Sequence, residues 1–192
     1  MVYKAIETDR DGQRSTRCIK IFGAEWMTPF NLECTAYAYL IHAKLDSLRE
    51  GFIPKVYGWA KRTFIDWGVD PFGNLSDEET LHNGIVMEFL EGAEHFGRDN
   101  ATINLGTNFV SGLTKIHEAR VLHRDLFTRN MLVIPGSDRA VWVDFSCARI
   151  RGPPGSYEQT SELALAARIA IANVSAAPAC RRLMKGFRSD AR

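Results

Sequence analysis

VLHRDLFTRNMLV (residues 121–133) sets His, Arg and Asp side by side, with an Asn five residues past the Asp, between two apolar runs. Charged groups that close to apolar segments must reach solvent, pair, or do chemistry. Asp and Asn in such a loop also serve as turn residues that satisfy backbone groups, so the stretch takes its meaning from what flanks it.

Upstream, residues 104–118 carry Phe109, Leu113, Ile116 and His117 on one side, the spacing of a helix that runs into the loop. Downstream, MLVI and AVWVDF read as two short strands around the turn Pro135-Gly136-Ser137-Asp138. Further out, VYKAI (2–6) and RCIKIF (17–22) read as strands of a hairpin, with Asp11-Gly12 suited to its turn. From Asn31, Leu32, Ala36, Tyr37, Leu40, Ile41, Leu45 and Leu48 recur at three- and four-residue steps, predicting a helix that ends near Gly51 with Glu33 on its buried face. IPKVYGWA and HNGIVMEFL are strand-like, separated by a long loop holding Gly68, Asp70-Pro71, Gly73-Asn74 and the acidic cluster Asp77, Glu78 and Glu79. After RGPPGS (151–156) a helix is predicted to begin around Thr160 or Ser161, and a short basic segment follows it. The expected architecture is α+β: a small strand-rich part up to about residue 88, then a helix-rich part.

Composition bounds the function. With 192 residues, 45% hydrophobic and 24% charged, the chain can bury a core. Its 24 basic and 23 acidic residues leave a net charge of +1, so no global field draws it to nucleic acid or an anionic membrane. Cys18, Cys34, Cys147 and Cys180 are widely spaced without a CxxC pair, which suits reduced thiols and an intracellular, cytoplasmic setting. The N-terminal residues carry charges where a signal peptide needs its apolar run, and LALAARIAIANV is broken by Arg168, so neither targeting to nor spanning of a membrane is expected. His42, His82, His95, His117 and His123 show no zinc spacing.

HRDLFTRN (123–130) resembles the catalytic loop of the eukaryotic protein-kinase superfamily, meeting its pattern His-Arg-Asp-Leu, three variable residues, Asn in full. The resemblance implies that Asp125 accepts the proton of an attacking hydroxyl and that Asn130 offers its amide oxygen to Mg²⁺. His123 is expected to be a packed scaffold residue. Asp144-Phe145-Ser146, nineteen residues after Asp125, resembles the family's Asp-Phe-Gly with Ser in place of Gly, and implies Asp144 as a Mg²⁺ ligand. Cys18-Ile19-Lys20 resembles the Ala-x-Lys of the third strand. It implies Cys18 over an adenine ring, Lys20 on the α- and β-phosphates, and Glu33 as the carboxylate that holds Lys20. GIVMEFLEG (84–92) resembles the strand and hinge between lobes, which implies the Glu88 carbonyl and Leu90 N–H as adenine partners, with Met87 behind the ring and Leu132 below it.

The resemblance covers residues 2 to about 150 and implies a bilobal protein-kinase-like fold. Residues 1–88 would form a β-rich N-lobe, and 89–192 the hinge with a shortened helical C-lobe. It departs from the family in two places. Gly12 and Gly23 are isolated, so no G-x-G-x-x-G-x-V lid is found, and only 46 residues follow Ser146, without Ala-Pro-Glu. Asp70-Pro71-Phe72-Gly73 precedes the loop and reads as structure only. Phe127 stands where serine/threonine kinases usually carry Lys, while Arg129 before Asn130 is similar to tyrosine kinases and some small-molecule kinases, so the acceptor stays open. The expectation is an ATP- and Mg²⁺-dependent phosphotransferase acting on a hydroxyl-bearing substrate, foremost a protein Ser, Thr or Tyr. The alternative is a pseudokinase or truncated kinase-like nucleotide-binding scaffold. A protein partner covering apolar surface on the shortened C-lobe is a further expectation.

Overall fold

The computed structural model describes residues 1–8, 10–46, 51–64, 66, 67, 80–150 and 157–178. The fold is α+β. An antiparallel hairpin of β1 (Val2–Thr8) and β2 (Arg14–Phe22) opens it, longer at both strands than the sequence pattern predicts. Gly12 takes a φ of +78° in the connection, where a side chain would be strained. β3 (Val56–Arg62) and β4 (His82–Glu88) complete a four-stranded sheet of order β1-β2-β4-β3. Alternation along β2 decides its faces. Cys18, Lys20 and Phe22 point to the side covered by α1 (Met27–His42). Ile19 and Ile21 pack on the other side with Trp67. Gly84 permits that second cluster, because a Cβ there would stand 2.4 Å from the Trp67 ring.

Helix α1 begins and ends earlier than its periodicity predicts. Ile41 accepts from the Lys44 N–H (2.8 Å) and Leu40 from the Leu45 N–H (3.0 Å), with Lys44 at φ +59°. This is the Schellman closure usually built on glycine. Leu45, read as the next helical position, is instead the buried apolar residue that seals the cap. Leu48, the polar loop with its Asp70-Pro71-Phe72-Gly73, RGPPGS and Cys180 lie outside the described residues.

After β4 come β5 (Glu94–His95), α2 (Ile103–Glu118), β6 (Val121–Leu122), β7 (Met131–Val133), β8 (Ala140–Trp142), β9 (Arg149–Ile150) and α3 (Tyr157–Ala176), which starts three residues before Thr160. β7 and β8 pair as an antiparallel hairpin flanked by β5, while β6 pairs with β9. One buried cluster runs from Phe22, Tyr37 and Leu40 to Phe109, Leu113, Trp142 and Ala166. Trp142 anchors it, and its indole N–H, which must find an acceptor when buried, donates to the Phe109 carbonyl at 3.0 Å. No helix among the described residues is long and apolar enough to cross a membrane.

Candidate active site

Two hairpins and one helix bring the polar residues together. Pairing of β7 with β8 puts the residue before β7 beside the residue after β8, and the Val143 N–H donates to the Asn130 carbonyl at 3.1 Å. Asn130 and Asp144, fourteen positions apart, therefore meet at one end of this hairpin. From the four-stranded sheet, Lys20 reaches the same place. Its Nζ lies 2.6 Å from Glu33 Oε2 and 2.8 Å from Asp144 Oδ1.

These groups line a cavity of about 470 Å³. Cys18, Lys20, Glu33, Met87, Glu88, Leu90, Asn130, Leu132 and Asp144, all anticipated from sequence, form its wall. Val2, Tyr37, Phe89, His95, Arg129 and Val143 complete much of the rest and were not anticipated. Asp125 is not in the wall. Its carboxylate sits one hydrogen bond away from it, accepting from Asn130 Nδ2 at 2.8 Å and from Arg129 through both oxygens at 2.9 and 2.8 Å. The Glu88 side chain is held in a fork with Arg139 (2.7 and 2.8 Å).

The electrostatics follow from burial and pairing. Glu33 is fully buried, which pushes its carboxyl up to about 7 against the pull of Lys20. Burial works to lower the Lys20 ammonium, but the charges of Glu33 and Asp144 outweigh it and raise the group above its ordinary value. Burial also works to raise Asp144, yet Lys20 and the donors of Ser146 hold its carboxyl below the usual range. Ser146 donates to Asp144 Oδ1 from its hydroxyl at 2.6 Å and its N–H at 3.2 Å. Ser146 thus acts on the carboxylate itself.

The raised Glu33 carboxyl has a consequence for stability. Between about pH 4.5 and 7 the folded state holds a proton on Glu33 that the unfolded chain has released, so this group's contribution to stability falls as pH rises through that window. Glu33→Gln removes the titration. The stability of the wild type minus that of Glu33→Gln is expected to decline from pH 4.5 to 7 in denaturant unfolding series, and a pH-independent difference would show that Glu33 titrates normally.

The loop bearing Asp125 is held from behind by a residue the sequence reading passed over. Glu162 on α3 accepts from the Arg124 N–H at 2.7 Å and the His123 N–H at 3.2 Å, and its Oε2 lies 2.8 Å from His117 Nε2. Arg124 is left-handed (φ +64°), as is Asp144 (φ +64°), a conformation that costs an L residue about 1–2 kcal/mol and persists only when surrounding bonds impose it. His123 is buried, which lowers its pKa and keeps the ring neutral. Its Nε2 lies 3.1 Å from the Val143 carbonyl, an acceptor only, so Nε2 carries the proton and Nδ1 is left to accept from the Asp125 N–H at 3.4 Å. The ring packs against Trp142 and Phe145, with centroids at 5.2 and 4.6 Å, and Phe145 meets Tyr37 edge-on at 5.3 Å. A sequence signal for Glu162 existed: it is a carboxylate at the head of an otherwise apolar Ala-, Leu- and Ile-rich run.

No protein-family model matches the chain, and no curated protein matches it significantly.

Proposed function

We propose that the protein is an ATP-dependent phosphotransferase with a bilobal, protein-kinase-like arrangement, moving the γ-phosphoryl of Mg-ATP to a hydroxyl acceptor, foremost a protein side chain. The reading rests on one observation above the others: Lys20 Nζ bridges Glu33 and Asp144 at 2.6 and 2.8 Å in the wall of a cavity that Asn130 also lines, with Asp125 bonded directly to Asn130. Three separate motifs, spread over more than a hundred positions, converge there. In this reading the backbone of residues 88–90 receives the adenine between Cys18 and Leu132, with Met87 behind it. Lys20 orients the phosphates, and Asp125 aligns the acceptor hydroxyl.

The donor set suits a hard divalent cation. The hydrogen bonds that Asp144 accepts among the described residues fall on Oδ1, which leaves Oδ2, and the Asn130 amide donates through Nδ2, which leaves Oδ1. Those two oxygens would hold Mg²⁺, whose charge would neutralise the phosphates.

A thermal-shift titration tests the reading. A ligand at a hundred times its Kd adds about 2.7 kcal/mol to the stability of the native state, so Mg-ATP is expected to raise Tm by several degrees. Lys20→Met should abolish the shift. An unmoved Tm at millimolar Mg-ATP would leave the protein without its nucleotide.

The scaffold alternative draws support from the Asp125 carboxylate, both of whose oxygens are occupied by Arg129 and Asn130. A protein that binds Mg-ATP and transfers nothing would fit that arrangement, and the two readings part on turnover.

A further inference from the structure

The carboxylate of Asp125 carries an arginine. Arg129 bonds both of its oxygens, at 2.9 and 2.8 Å, and does so through Nη2 alone. Oδ2 also accepts from Asn130 Nδ2, whereas Oδ1 has only Arg129 among the described residues. The Nε and Nη1 groups of Arg129 have no protein partner among the described residues. Its side chain is 60% exposed, yet it lines the same cavity as Asn130 and Asp144. An exposed ion pair of this kind contributes little to stability, so an incoming group can take the place of Arg129 on Oδ1 at small cost.

The guanidinium does not hang loose in water. It lies over the Phe127 ring, 4.3 Å from the centroid, and Phe127 is itself 59% exposed. Stacking holds the plane of the cation and leaves its N–H edges free to meet oxygen. Arg124, just before Asp125, is also exposed, and its side chain has no partner among the described residues. Residues 124–129 therefore set two positive charges against one negative charge. Such a rim attracts anions and repels cations.

We infer that Arg129 selects an acidic acceptor, a protein segment whose Ser, Thr or Tyr hydroxyl is flanked by carboxylates. This rests on the phosphotransferase reading above. The acceptor hydroxyl replaces Arg129 on Asp125 Oδ1, and the released guanidinium, still tethered four residues away, pairs with the flanking carboxylate. In the transfer the acceptor oxygen bonds the γ-phosphorus as the bond to the β–γ bridging oxygen breaks. ADP leaves with that electron pair, and the hydroxyl proton passes to Asp125. A neutral acceptor makes the same displacement but leaves Arg129 without an anion, so it competes less well for Oδ1.

Two peptides test the inference, alike except that Ser, Thr and Tyr are flanked by Glu in one and by Gln in the other. With Mg-ATP, kcat/KM of the wild type should favour the Glu peptide by about tenfold, the worth of one hydrogen-bonded charge. That preference should shrink as ionic strength rises. In Arg129→Met transfer to the Glu peptide should fall and transfer to the Gln peptide should rise, bringing the ratio close to one. Arg129→Lys, which keeps the charge, should retain part of the preference. A wild type that treats the peptides alike overturns the inference, and this arm needs no variant to fold. So does a ratio unchanged in Arg129→Met, which would make Arg129 a support for Asp125 only. Transfer to a mixed protein substrate but to neither peptide overturns the inference alone, whereas transfer to none of the three removes the phosphotransferase reading with it.

Discussion

Asp125→Asn should lower phosphoryl transfer by about 10²–10⁴-fold, the range of general-base assistance, while the rise in Tm with Mg-ATP persists. The two readouts separate because Asp125 is not part of the cavity wall and stands one hydrogen bond from Asn130, whereas the groups that would receive the nucleotide line the wall. The substitution nearly conserves shape but removes the charge that holds Arg129 at 2.8 and 2.9 Å. Arg129 packs over the ring of Phe127 at 4.3 Å, and both side chains are exposed, so the released guanidinium has a place to rest without disturbing the core. Measurement of transfer to a mixed protein substrate and of Tm against Mg-ATP, on the same two proteins, decides it. Equal transfer by wild type and variant would remove the enzyme reading and leave the scaffold.

Glu162→Ala should produce the largest loss of stability, about 3–5 kcal/mol, which for a chain of this size lowers Tm by about 10 °C. The carboxylate takes two backbone donors and stands against His117, and all three partners would lose it together. Arg124 sits at a left-handed φ with the Glu162 bond on its N–H, so without that bond the loop has reason to relax to ordinary backbone. Asp125, the next residue, would move with it. Glu162→Gln keeps one carbonyl oxygen and should recover part of the stability. Denaturant unfolding of the three proteins, with hydrogen exchange at His123 and Arg124, would read both effects, and an Ala variant as stable as wild type would show that α3 does not support the loop.

Local features of the chain were legible without a structure. The hairpin, the strand pairs, α2 and the β7–β8 turn follow from alternation, three- and four-residue spacing and turn residues, all of which act over a few neighbours. Glu33 on the buried face of α1 was legible in the same way, since it lies one turn before Tyr37 among apolar positions. The early end of α1 was not, because Lys44 adopts a left-handed cap that side-chain identity normally signals with Gly. The Glu162 bonds to the loop, the Arg129 fork on Asp125, the Ser146 hydroxyl on Asp144 and the Glu88–Arg139 pair were likewise out of reach. Each depends on rotamers and on how two distant elements pack. The sequence alone determined which residues could carry charge and chemistry and which local element each would sit on. Tertiary structure alone decided that Lys20 and Asp144, 124 positions apart, would stand 2.8 Å from each other. Periodicity constrains a residue against its near neighbours, whereas a distance across the fold is the sum of many packing choices, none of them written at either position.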